Sequence, residues 1–122
     1  MLSGIYYYVD PNGRKPVKEF ISSLSIQDRA KVFAYFDELK VQGHNMRRPM
    51  ADYLRDGIYE LRPKHNRIFY FFYMKDKVVL VHAIKKFMLK IPDHDLTLCI
   101  KRKKTLEIGG MAIENIDQKG NI

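Results

Sequence analysis

The stretch Gly57-Ile58-Tyr59-Glu60-Leu61-Arg62-Pro63-Lys64-His65-Asn66-Arg67-Ile68-Phe69-Tyr70-Phe71-Phe72-Tyr73-Met74-Lys75-Asp76-Lys77-Val78-Val79-Leu80-Val81-His82-Ala83-Ile84-Lys85-Lys86 decides the fold. It holds three runs, Ile58 to Arg62, Arg67 to Met74 and Lys77 to Lys86, separated by Pro63-Lys64-His65-Asn66 and by Lys75-Asp76. The first run alternates in polarity. The other two are near-continuous and apolar, as central strands covered on both faces are. The pattern predicts three antiparallel strands joined by short turns.

Period-two alternation then assigns faces. If Arg62 opposes Arg67 across the first hairpin, Glu60 opposes Phe69 and Ile58 opposes Phe71. With Lys75-Asp76 as a two-residue turn, Phe71 opposes Leu80, Phe69 opposes His82 and Arg67 opposes Ile84. One face then carries Tyr59, Leu61, Ile68, Tyr70, Phe72, Val79, Val81 and Ala83 and is expected to pack on helices. The other carries Ile58, Phe71 and Leu80 at one end, and Glu60, Arg62, Arg67, His82 and Lys86 at the other. Two opposed arginines repel by up to about 1 kcal/mol. A phosphate between them relieves the repulsion, because the guanidinium fork matches its oxygens bidentately. In a purely structural account, Glu60 offsets it instead.

Outward from this stretch, Ile5-Tyr6-Tyr7-Tyr8-Val9 reads as a further strand and Asp10-Pro11-Asn12-Gly13 as a turn. Pro16 opens a helix with Val17, Phe20, Ile21 and Leu24 on one side. Ser25 caps a second helix from Ile26 to Gln42, ended by Gly43, with Ile26, Ala30, Val32, Phe33, Phe36 and Leu39 in its apolar arc. His44 to Asp56 shows no period and is expected to be a basic loop. Pro92 opens a last helix, with Asp93 and Asp95 in its first turn, Lys101 to Lys104 at its end, and Leu96, Cys99 and Ile100 as its stripe. The order β-α-α-β-β-β-α predicts an α+β fold: an antiparallel-rich sheet with two N-terminal helices on one face and a C-terminal helix. The expected organisation is one domain over 1–104 and a loosely held tail over 105–122.

The 122 residues suffice for one core. Lys and Arg number 22 against 14 acids, a net charge of +8, which points to a polyanionic partner. One cysteine, Cys99, excludes an internal disulfide framework, and on its helical stripe it reads as core rather than nucleophile. No apolar run approaches the roughly 18 residues of a membrane span, and the first residues lack the basic-then-apolar pattern of a secretory signal. The expected location is the cytoplasm. Acids in the Asp93-His94-Asp95 turn suit the helix dipole better than a metal. His82 has the side chain of a general base, against a reading as a satisfied core histidine.

Gly57-Ile58-Tyr59-Glu60-Leu61-Arg62, Arg67-Ile68-Phe69-Tyr70, Val79 to Lys86 and Lys90-Ile91-Pro92 together resemble the RelE superfamily, most closely its HigB-like and phage-derived branch. Pro16 to Ile21 and Asp37-Glu38-Leu39 resemble it too, and the resemblance spans roughly Ile5 to Lys104. It implies a RelE-like microbial RNase fold and the toxin of a type II toxin–antitoxin module. Such a toxin is a ribosome-dependent endoribonuclease, cutting mRNA by attack of a ribose 2′-OH on the adjacent phosphate, with no metal or other cofactor. Its implied partners are the ribosome, mRNA and a HigA-like helix-turn-helix antitoxin, through which alone it meets operator DNA. No membrane is involved. Arg62, Arg67, Lys86 and Lys90 match basic positions that the family uses to grip and cleave RNA. With His82, the catalytic candidates are Arg62, Arg67 and Lys86; Lys90, Arg55, Lys64, Lys85 and Arg102 are the expected RNA contacts. The sequence departs from the family at Ile84, Phe87-Met88-Leu89 and Ile91, giving a less basic loop. That departure motivates a second reading, a nucleic-acid-binding or regulatory protein that has lost cleavage; a third is a toxin of this fold aimed at DNA gyrase.

Overall fold

A computed structural model describes residues 1–86, 90–109 and 112–117. Local signals set most elements. Strand β1 (Gly4–Val9) leads through the Asp10 turn, where Asp10 Oδ1 accepts the N–H groups of Asn12 and Arg14, into helix α1 (Pro16–Ser22). Ser25 Oγ accepts the Asp28 N–H and starts α2 (Ile26–Gln42), which Gly43 ends with φ 53°. After a 3-10 turn come β2 (Ala51–Arg55), β3 (Ile58–Leu61), β4 (Asn66–Tyr73), β5 (Lys77–Lys85), α3 (Asp93–Glu107) and β6 (Ala112–Asn115).

The strands form one sheet in the order β2-β3-β4-β5-β1-β6, antiparallel except where β1 runs parallel to β5. The described residues therefore form an α+β fold, with three helices on a mostly antiparallel sheet. Leu61, Ile68, Tyr70, Val78 and Leu80 meet Val17, Ile21, Val32, Phe36 and Leu39 of α1 and α2 on one face. Ile58, Phe69, Phe71, Val79 and Val81 meet Cys99 and Leu106 of α3 on the other. As the apolar runs predict, the central strands are covered twice.

Four expectations change. First, the supposed loop to Asp56 contains β2. Asp56-Gly57 is a two-residue hairpin turn with both residues at positive φ (52° and 82°), the geometry Asp-Gly favours. A Cβ on Gly57 would lie 2.9 Å from Lys103 Cε, the flexible end of a side chain, so the positive φ and not α3 is what calls for the glycine. Second, the β4–β5 turn has three residues, since Tyr73 pairs with Lys77. A bulge between the Tyr70–Leu80 and Phe69–His82 pairs absorbs the extra residue. The expected pairing of Phe69 with His82 and Arg67 with Ile84 therefore holds, whereas Phe71 pairs with Val79 instead of Leu80. Val79 and Val81 consequently face α3, and Leu80 faces α1 and α2. Third, Ile26, Ala30 and Phe33 lie on the solvent side of α2, and Val32, Phe36 and Leu39 carry its packing. Fourth, α3 continues to Glu107, and residues 112–115, expected in the loose tail, form β6 on the free edge of β1. Ile113 and Ile116 pack against the two cores, and Glu114 pairs with Lys15 at 3.4 Å. The Phe87-Met88-Leu89 departure falls outside the described residues.

Deleting residues 110–122 is expected to lower the unfolding free energy by about 1–3 kcal/mol, from the burial of two isoleucines. It also bares the edge of β1, so self-association should rise. Urea titration and light scattering check both.

Candidate functional site

The bulge and the register place Asp52, Glu60, Phe69 and His82 in one row across β2, β3, β4 and β5. The row lies on the α3 side of the sheet, and its middle is buried: Phe69 is inaccessible and Glu60 is 4% exposed. A carboxylate so desolvated needs opposite charge. Arg62 Nε lies 3.9 Å from Glu60 Oε2, and Arg67 Nε 3.8 Å from Oε1. Both guanidiniums therefore occupy the same face, flanking one acid. Among the described residues, the buried Glu60 Oε1 and Arg67 Nε find no hydrogen-bond partner.

The two arginines are not equivalent. Arg67 Nη1 donates to the carbonyls of Lys64 and Asn66, both at 2.8 Å, and ties down the β3–β4 loop. Burial pushes its guanidinium below the ordinary value, with Glu60 opposing. Arg62 is the more accessible, at 23% side-chain exposure against 11%.

Glu60 opens onto a cleft of about 450 Å³, also lined by Arg48, Asp52, Arg55, Lys86, Lys90 and Asp93. Arg48 grips Asp52 through Nε and Nη2 at 3.0 and 2.7 Å, and this hydrogen bonding holds the Asp52 carboxyl below its ordinary range. A second cleft of about 480 Å³ adjoins it through Lys86 and Lys90 and adds Ile84, Lys85, Pro92, His94 and Asp95. Arg55, Lys85, Lys86 and Lys90 thus gather around two connected clefts beside the Arg62–Glu60–Arg67 cluster.

Three sequence candidates sit elsewhere. His82 lines neither cleft: its Nε2 is 2.7 Å from Asp95 Oδ1 on α3 and its ring stacks on Phe69. Burial pushes its pKa below the ordinary value, outweighing the opposite pull of Asp95. The ring clamps α3 to β5 through Asp95, which itself lines the second cleft. Arg102 is spent inside the fold, donating to the Val81 carbonyl at 2.6 Å and lying 4.8 Å over the Tyr8 ring. The carbonyl it satisfies belongs to the bulged strand. Lys64 turns toward α2 and pairs with Asp28 at 3.4 Å, and lines neither cleft. Cys99 is buried, and burial pushes its thiol up to about 12, which suits a core residue.

The sequence reading passed over Arg48 and Asp52 because β2, an edge strand with Tyr53 and Arg55 exposed, carries no clear alternation. The Asp56-Gly57 turn was the available signal. The sequence favours Asp95 as a dipole acid over a metal ligand; the partner it finds in the fold, His82, is thirteen residues away.

A small α+β protein with a cationic cleft at one end of a doubly covered sheet is the class that fold and site define. Within that class, the model of the phage-derived Gp49-like proteins (DUF891) matches residues 19–104, and the chain belongs to that family. No curated protein matches it. Among the described residues, no helix is long and apolar enough to cross a membrane.

Because His82 is depressed in the folded state, its contribution to stability is complete above the unfolded value near 6.5 and is lost as pH falls through the folded value. Urea unfolding should show wild type losing more stability than His82→Gln between about pH 7.5 and about pH 5.5. Parallel curves would contradict the assignment.

Proposed function

We propose that this protein is a RelE-like toxin of a type II toxin–antitoxin module and acts as an mRNA endoribonuclease on the ribosome. The observation that carries the reading is the placement of Lys86 and Lys90 on a cleft of nucleotide size whose carboxylate, Glu60, is flanked by Arg62 and Arg67. Membership of the phage-derived Gp49-like family and the net charge of +8 support it.

In this reading the RNA backbone enters over Arg55, Lys85 and Lys90. Arg62, with Arg67 behind it, receives the scissile phosphate and stabilises charge building on its non-bridging oxygens. Lys86 or Lys90 supplies a proton to the departing 5′ oxygen. The products are a 2′,3′-cyclic phosphate and a 5′-OH, and the chemistry calls for no metal. A helix-turn-helix antitoxin of HigA-like type is the proposed protein partner, carrying any contact with operator DNA.

Induced expression of the wild type should arrest growth and create new mRNA 5′-OH ends. Arg62→Ala combined with Lys86→Ala should lower cleavage by about 100-fold or more and restore growth, since single phosphate-stabilising donors are worth about 10²–10³ in rate. Equal toxicity of both would sink the reading. Tight RNA binding by wild type with mRNA left intact would favour the binding-protein alternative, and inhibited supercoiling with intact mRNA the gyrase one.

A further inference from the structure

We propose that Glu60 is the general base that takes the 2′-OH proton. This deepens the reading above and rests on it. Three carboxylates line the cleft: Glu60 and Asp52 from neighbouring strands, and Asp93 at the start of α3, an exposed side chain 4.0 Å from Lys90 and without the arginine pair that flanks Glu60. Asp52 is occupied by a two-nitrogen grip from Arg48, whereas among the described residues Glu60 accepts no hydrogen bond at Oε1 and meets its arginines at 3.8–3.9 Å. A buried acceptor left unsatisfied beside unsaturated donors is a costly arrangement for a purely structural ion pair. It is suited to a group whose partner arrives with substrate.

The geometry also meets the requirement of the reaction. Arg62 presents its fork to a phosphate with Arg67 behind it, so the carboxylate 3.9 Å from Arg62 lies against the ribose that bears that phosphate. A lysine ammonium at neutral pH has no free pair to accept a proton, and His82 is engaged with Asp95. In the step, the 2′-OH proton passes to the Glu60 carboxylate as O2′ bonds to phosphorus. The P–O5′ bond breaks, and the departing oxygen takes a proton from Lys86 or Lys90. Removing the acid's negative charge should strengthen, rather than weaken, the cleft's hold on RNA.

The test uses the full chain and ribosomes programmed with mRNA, alongside the same mRNA carrying a 2′-deoxy sugar at the cut site to measure binding. Glu60→Gln should lose about 100-fold or more in cleavage while binding the deoxy mRNA as tightly as wild type or more so. If wild type cleaves and Glu60→Gln stays within about ten-fold of it, the assignment fails and the endonuclease reading stands. Loss of binding together with cleavage in a folded variant marks Glu60 as a support for the arginines and also overturns it. Should Glu60→Gln fail to fold, Glu60→Asp decides. Unchanged binding with cleavage down about ten-fold or more supports the base, and unchanged cleavage refutes it. Wild type that cuts no mRNA overturns both proposals.

Discussion

A carboxylate 4% exposed on a central strand cannot remain charged without compensation. The need to compensate Glu60 organises this end of the molecule. It draws Arg62 and Arg67 inward from the two sides of the β3–β4 loop, and Arg67 in turn ties that loop through two carbonyls. Two guanidiniums that would repel each other across a hairpin are reconciled by the acid between them. The pairing is long, at 3.8–3.9 Å, and incompletely hydrogen bonded among the described residues.

Two-sided coverage sets where this cluster can lie. Helices α1 and α2 pack on one face, and α3 occupies the Ile58, Phe71 and Val79 end of the other. Charged groups are left the uncovered end. The His82–Asp95 hydrogen bond and the Arg102 contacts with Val81 and Tyr8 seat α3 on the sheet and mark its limit. Polar side chains therefore divide into those that attach α3 and those that line the clefts beyond it, with Asp95 doing both. Residue type alone does not separate the two groups.

Much of this was legible in the residues. Ser25 and Gly43 bound α2, and the apolar runs give β4 and β5. The pairings of Glu60 with Phe69 and Phe69 with His82 follow from counting through the turns. The second of these pairings came out right for an incomplete reason. The turn is one residue longer than the sequence suggests, and the bulge restores the count only beyond Leu80. Hence Arg67 and His82 fell on their observed face while Val79, Leu80 and Val81 did not.

The sequence by itself determined the caps, the strand periods and the presence of arginines at both ends of one hairpin, because those depend on neighbours a few residues apart. Only the tertiary structure decided which bases serve the cleft. Arg102 and His82 are absorbed by α3 and Lys64 by Asp28, while Arg48, Asp52 and Glu60 join the site. The physical reason is that a charged head group at the end of a long side chain finds its partner through burial and approach from segments distant in the chain, and no local period encodes that choice.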